Sequence, residues 1–246
     1  MSIETSEELE ALRAAGRVVA DALRAMRRAV RPGVTTRELD QLGARVFRAA
    51  GARSGPTLDY GFPGTNCISV NDEAVHGVPG ERRLSLGDLV KLDVTAELDG
   101  FYADACVSVP VGRPSVQAGR LVATATAALS RAIATARPGA PLNRIGATVE
   151  REVIKQGFAV CRDLMGHGIG RRIHEPPEVP NHYVPSLRQR LHPGLVMTIE
   201  PIICAGSGAV MNSPDGWTMR TADGAVSAHA EHTIVITDAE PLVLTQ

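Results

Sequence analysis

Aromatic side chains make up only 3% of this 246-residue chain, so its core has to be built from aliphatic groups. The four cysteines, Cys67, Cys106, Cys161 and Cys204, form no CxxC pair and no cluster. That disfavours a thiolate metal site and leaves them as expected free thiols. No apolar run approaches the ~18 residues of a membrane-crossing helix. The opening MSIETSEELE is acidic and lacks the apolar stretch of a secretory leader, so a cytoplasmic location without membrane attachment is expected. A dominant charge is missing as well. There are 26 basic and 27 acidic residues, a net charge of −1, and no long basic stripe that would point to nucleic acid. Arg24, Arg27, Arg28 and Arg31 share one helical segment and read as a solvated face. What is present is a 44% hydrophobic content, enough for one large core or two modest ones.

Thr5-Ser6-Glu7-Glu8 has the pattern of a capping box. Leu9, Leu12, Val18, Val19, Leu23 and Met26 follow near helical spacing, and Arg31-Pro32-Gly33 ends the segment. Thr35-Thr36-Arg37-Glu38 repeats the box before Leu39, Leu42, Val46 and Phe47, and Gly51 closes the second helix. The same order recurs downstream. An alanine-rich helix over about 115–136 ends at Arg137-Pro138-Gly139, and a further helix holds Leu142, Ile145, Val149 and Ile154 before Gly157. The Arg-Pro-Gly turns, the closing glycines and the pairs Ala22-Leu23 and Ala128-Leu129 are all 106 residues apart. Two related halves are expected, each a helix pair feeding strands, with a shared site between them. Val90–Ala96, Phe101–Val109, Leu195–Ile203 and His232–Ile236 read as strands. Residues 205–226 read as a loop, and no interdomain linker is visible, so residues 1–246 are expected to form a single domain.

The sharpest chemical signal is KLDVTAELDGFYADACVSV. Asp99-Gly100 is a two-residue hairpin turn, since both types tolerate positive φ. Pairing the flanking strands sets Leu98 opposite Phe101, Thr95 opposite Asp104 and Asp93 opposite Cys106. Asp93 and Asp104 then leave the same face as diagonal neighbours, roughly 7–8 Å apart at the backbone. Leu89, Leu92 and Val94 argue for partial burial, and two buried carboxylates need a cation. Glu200, in LVMTIEPII, and Glu231, in AEHTIVIT, lie in comparable apolar settings. Each has a threonine two residues away, Thr198 and Thr233, as Asp93 has Thr95. A hydroxyl there can hydrogen-bond a ligating carboxylate.

The stretch GHGIGRRIHE places His167 and His174 seven residues apart among three glycines. A helix would set the two rings about 10 Å apart at ~1.5 Å rise per residue, and a strand would send them to opposite faces. They are therefore expected to do different jobs. Four carboxylates, Asp93, Asp104, Glu200 and Glu231, balance two divalent cations in charge, and one imidazole completes an oxygen-rich site. Such a site suits Mn, Fe, Co or Zn without selecting among them.

Five segments in order carry a resemblance to a known family: YGFPGTNCISVNDEAVHGVP, GDLVKLDVTAELDGFYADA, GHGIGRRIHEPP, GLVMTIEP and SAHAEHTIV. The chain resembles the type I methionine aminopeptidases over about residues 5–245. The resemblance implies an α+β pita-bread fold, with two pseudo-symmetric halves and a central curved antiparallel sheet flanked by helix pairs. It implies Asp93, Asp104, His167, Glu200 and Glu231 as ligands of two divalent ions, with Asp104 and Glu231 bridging. It implies His174 at the scissile carbonyl, His76 near the substrate's first residue and leaving group, and Glu200 as acceptor of the attacking water's proton. Phe62, Cys67, Ile173 and Trp217 are the implied methionine pocket, with His76 and His174 at its edge. The implied activity removes the N-terminal methionine of nascent chains and peptides, mainly before a small second residue. The implied setting is a cytoplasmic monomer working near the ribosome.

Only 26 residues separate His174 from Glu200, which leaves no room for the helical insertion of the type II enzymes. The sequence departs from the family's pattern at Ile173, where Phe is frequent, and at Asp59, where an aromatic is frequent. A proline-directed peptidase with the same cage is the neighbouring alternative. The VNDEAVHGVP segment and the lack of an additional N-terminal domain argue against it. A binding module that had lost catalysis would lack the ligand set, which is intact here.

Overall fold

The computed structural model describes residues 1–246, and its first half opens with two antiparallel helices, α1 (Ser6–Ala29) and α2 (Thr36–Ala50). Thr35 and Glu38 form the full capping box of α2. In α1 only half of the expected box forms: Thr5 accepts from the Glu8 N–H, while the Glu8 carboxylate takes the N–H of Glu4 instead. Then come β1 (Arg53–Ser54), the one-turn helix α3 (Gly55–Tyr60), β2 (Cys67–Val70), β3 (Glu73–Val75), β4 (Leu89–Leu98) and β5 (Phe101–Pro110). The second half repeats the opening with α4 (Val116–Thr135), α5 (Asn143–Lys155) and β6 (Ala159–Val160). β1 and β6 begin 106 residues apart, the offset of the two Arg-Pro-Gly turns. The remaining strands are β7 (Met165–Gly168), β8 (Glu175–Pro180), β9 (Val196–Ile199), β10 (Ile202–Cys204), β11 (Val210–Asn212), β12 (Met219–Thr221), β13 (Ser227–His229), β14 (His232–Val235) and β15 (Leu242–Val243).

Two expectations are corrected. Leu195–Ile203 is not one strand. Pro201 has no N–H to donate and biases the residue before it, so the ladder breaks at Glu200 into β9 and β10. Residues 205–226 are not all loop, because β11 and β12 form there and extend a three-stranded sheet from β3. Ile154 also departs from the apolar stripe of its helix. It is 61% exposed, while Ile145, Val149 and Val153 are buried.

Each half has its own aliphatic core, as the shortage of aromatics requires. α1 lays Ala15, Val19, Ala22 and Met26 on Leu92, Val94, Ala103 and Ala105 of the β4–β5 hairpin. α4 and α5 lay Leu121, Ala125, Leu129, Ile145 and Val149 on Met197, Ile199, Ile203 and Ile234. Along β4 the alternate residues Leu92, Val94 and Ala96 face the helices. Asp93 and Thr95 therefore face the other way, toward the second half. The two halves are stitched there. The Glu231 N–H donates to the Cys106 carbonyl at 3.0 Å. The Thr233 hydroxyl donates to the Asp104 carbonyl at 2.7 Å and accepts the Asp104 N–H at 2.8 Å. The central antiparallel surface is thus two ladders joined across β5 and β14, with a helix pair behind each.

Candidate active site

The hairpin forms in the expected register. Asp99 and Gly100 both take positive φ, 51° and 84°, as a two-residue turn on twisted strands demands. Thr95 faces Asp104, and Asp93 faces Cys106. β2 pairs on the far side of β4 and sets Cys67 opposite Asp93. Glu200 and Glu231 come from the other half, at the end of β9 and the start of β14. All four carboxylates line one cavity of about 780 Å³.

Threonines do brace this set, by a different pairing from the expected one. Thr198 donates to Glu200 Oε1 at 2.9 Å, as expected, and also accepts the His167 N–H at 3.0 Å. Thr95 serves Asp104 (2.8 Å to Oδ2), not Asp93, because it stands directly opposite Asp104 across the hairpin. Thr233 binds no carboxylate and holds the Asp104 backbone instead. Same-strand spacing identified the right residues but missed the cross-strand partners.

The glycines of GHGIG serve close approach. A Cβ on Gly166 would lie 2.7 Å from the Thr198 carbonyl oxygen, and one on Gly168 would lie 2.1 Å from that of Pro176. With no side chains there, β7 fits between β8 and β9 and carries His167 to the carboxylates. His167 Nδ1 is 2.9 Å from the Gly168 carbonyl, which can only accept. Nδ1 therefore holds the proton and Nε2 is free, 3.5 Å from Glu200 Oε1. His174 is not remote, as helix or strand spacing implies. The chain reverses from β7 into β8 and brings the two rings to 4.2 Å between centroids, nearly edge to face. Their partners nevertheless differ, since His174 Nδ1 pairs with the Tyr60 hydroxyl at 2.6 Å.

His76, held at a positive φ of 57°, lines the same cavity, as do Phe62, Cys67, Ile173 and Trp217. Phe62 and Trp217 meet edge to face at 5.3 Å. Asp59 does not line the cavity. Its carboxylate accepts from the Tyr102 hydroxyl at 2.8 Å and from the Ile173 N–H at 3.2 Å, and so ties the chain beside His174 to α3. Sequence reasoning missed Tyr60 and His229. Tyr60 lies in the quoted YGFPG segment, but nothing local indicated its partner. His229 sits two residues before Glu231, a spacing that could have found it.

Burial sets the charge states. It pushes the carboxyls of Asp93, Glu200 and Glu231 well above their ordinary range, and the neighbouring carboxylates push them further. Burial also raises Asp104 to about 6, with the Thr95 hydroxyl opposing. It lowers His167 to about 3 and His76 to about 4, which leaves their imidazoles neutral and able to ligate or donate. Asp104 Oδ1 and Glu231 Oε1 are buried with no hydrogen-bond partner. Asp104, His167 and Glu231 each bring a ligand atom within 4.8 Å of the others, as do Glu200, His229 and Glu231. Orphaned carboxylate oxygens beside neutral imidazoles are a donor set that fits divalent metal ions.

Residues 10–238 match the model of metallopeptidase family M24. Methionine aminopeptidase 2 of Bacillus subtilis is 41% identical over 248 residues, covering 100% of both chains. The methionine aminopeptidase of Clostridium perfringens is 39% identical over 99% of this chain and 98% of that one. The crystal structure of the Thermotoga maritima methionine aminopeptidase superposes with a TM-score of 0.97 at 36% identity over the full length of both. The prolidase of Pyrococcus furiosus, at 23% identity and a TM-score of 0.80, shares the fold over 99% of this chain and 65% of its own. The α+β architecture is the pita-bread fold, as expected. With its helix pairs, its stitched strands and its buried acidic cavity, the chain belongs to metallopeptidase family M24.

Proposed function

We propose that Asp93, Asp104, His167, Glu200 and Glu231 would hold two divalent ions in a peptidase that removes N-terminal methionine. The observation that carries this reading is the meeting of the buried Asp104, Glu200 and Glu231, the half-buried Asp93 and a neutral imidazole in one cavity. Bound ions of the Co, Mn, Fe or Zn class supply Lewis-acid polarisation and an acidified water. Glu200, braced by Thr198, accepts the proton of the attacking water. His174 is oriented by Tyr60 and donates to the oxygen of the first peptide carbonyl as charge develops there. His76 stands by the first residue and the departing amine. Phe62, Cys67, Ile173 and Trp217 enclose the methionine side chain, where thioether–aromatic contact is favourable. Small second residues are preferred in this reading.

In this reading the protein is a monomer that acts in the cytoplasm on nascent chains, near the ribosome. No helix of the chain is long and apolar enough to cross a membrane. The whole of residues 1–246 acts as one catalytic domain.

The test is Asp104→Asn beside the parent protein, with a Met-Gly-headed peptide and an Xaa-Pro peptide as substrates. The variant is expected to keep its circular dichroism spectrum and to lose bound metal and at least ~10²-fold in turnover. Full turnover by the variant sinks the assignment. Preference of the parent protein for the Xaa-Pro peptide would move it to the proline-directed branch.

A further inference from the structure

Asp59 and Ile173, the two positions at which the sequence departs from its family's pattern, are bonded to each other. Asp59 Oδ2 accepts the Ile173 N–H at 3.2 Å. Ile173 is only 5% exposed, and this carboxylate is the one partner its N–H has. A buried N–H left without a partner is costly, and an aromatic side chain at position 59 would offer it none. One residue further along each segment, the Tyr60 hydroxyl pairs with His174 Nδ1 at 2.6 Å. Two consecutive residues of α3 thus hold two consecutive residues of the segment between β7 and β8. The first is held by its backbone and the second by its ring.

Both sides of this clasp are anchored. The Tyr102 hydroxyl donates to Asp59 Oδ1 at 2.8 Å and orients the carboxylate from β5. Burial, helped by the Asp59 charge, pushes that phenol up to about 12, so it keeps the proton it donates. Two hydroxyls tie α3 to the chain entering β2: Ser54 donates to the Thr65 carbonyl at 2.7 Å, and Thr57 to the Gly64 carbonyl at 2.8 Å. On the other side, Glu175 Oε1 accepts the N–H groups of Arg171 and Arg172 at 2.6 and 2.8 Å. The Tyr102 N–H takes the Gly170 carbonyl at 2.8 Å. With its neighbours fixed on both sides, the segment leaves Ile173 and His174 to the clasp.

We infer that Asp59 is a positioning residue for His174: through the Ile173 N–H it fixes the backbone that carries the imidazole, while Tyr60 fixes the rotation of the ring. This rests on the reading that His174 serves the scissile carbonyl. The imidazole meets charge there only as it develops, and a donor must already stand within hydrogen-bond reach. A small displacement of the ring therefore slows turnover without loosening the bound substrate.

The test is a cycle of Asp59→Ala, His174→Ala and the double variant in the metal-loaded full chain, with a Met-Gly-headed peptide as substrate. Asp59→Ala is expected to lower kcat by ~10-fold, the scale of one hydrogen bond to a charged group, with KM and bound metal unchanged. Its Ile173 amide should exchange with deuterium faster than in the parent protein. In the His174→Ala background the same change should have no further effect, because residues that act as a unit are not additive. Asp59→Asn should recover most of the loss, since its Oδ1 still accepts from Ile173 and its amide can donate to the Tyr102 oxygen. An equal drop in both backgrounds, a raised KM with kcat intact, or parent-like turnover by Asp59→Ala overturns the inference and leaves the role of His174 standing. Undiminished turnover by His174→Ala overturns both. Where His174→Ala is too slow to read, the kcat–KM split and the Asn rescue decide. Should Asp59→Ala not fold, Tyr102→Phe takes its place with an expected ~3-fold loss in kcat, the scale of a neutral hydrogen bond. The same outcomes overturn the inference there.

Discussion

The β4–β5 hairpin and the strands of the second half each deliver two carboxylates to the cavity, by different means. In the hairpin, ten consecutive residue pairs run without a break from Leu89–Pro110 to Leu98–Phe101. One turn and strict alternation place Asp93 and Asp104. In the second half, Glu200 sits where Pro201 cuts the ladder, and Glu231 lies between β13 and β14. Side chains hold what the ladder does not: Asn181 Nδ2 donates to the Glu200 carbonyl at 2.9 Å, and Thr198 braces both Glu200 and His167. A regular scaffold tolerates the loss of one brace, whereas a scaffold of braces does not.

Removing metal should act on both regions at once and give the largest effect. The carboxyls of Asp93, Glu200 and Glu231 lie well above their ordinary range, and that of Asp104 is raised to about 6. A raised carboxyl binds its proton more tightly folded than unfolded. Its contribution is complete below about pH 4 and is lost as pH rises through 6 and beyond. The chelated protein should therefore melt at progressively lower temperature from pH 5 to pH 8, and the Co- or Mn-loaded protein should not. A flat profile for the chelated protein would mean that the four groups do not share a buried site.

Gly168→Ala attacks the braced half alone. Its Cβ would enter the space of the Pro176 carbonyl oxygen, a backbone atom that cannot swing aside. A loss of about 3 kcal/mol is expected by denaturant titration, at the upper end for overpacking. A loss below ~1 kcal/mol would show that β7 and β8 can part. Thr198→Val against Thr95→Val then compares the halves directly. The first removes the brace of two ligands and the second the brace of one. Metal affinity should fall by ~100-fold for Thr198→Val and ~10-fold for Thr95→Val, the two ends of the range for such partners. The reverse order in a chelator competition would break the comparison.

The same contrast explains what could be read ahead of the structure. The hairpin was legible residue by residue, because alternation and an Asp-Gly turn are local rules. The helix pairs and their 106-residue repeat were legible for the same reason: β1 and β6 keep the offset of the turns. The partners of Thr95 and Thr233 were not, since each bond crosses to another strand. Nor was the closeness of His167 and His174, which a reversal between β7 and β8 creates. Asp59 was visible only as a departure from the family's pattern, and its carboxylate ties Tyr102 to the Ile173 backbone.

From residue order alone follow the aliphatic cores, the helix pairs, the register of the acidic hairpin and the surplus of carboxylate that asks for cations. Each depends on neighbours a few positions away or on charge counted over the chain. The meeting of Glu200 and Glu231 with the hairpin, the pairing of Tyr60 with His174 and the enclosure of His229 between two glutamates came only with the folded chain. The first two join residues far apart along the chain, across the two halves, and the third needs β13 to pack beside the β9–β10 break at Glu200. No local periodicity encodes the direction in which one half meets the other.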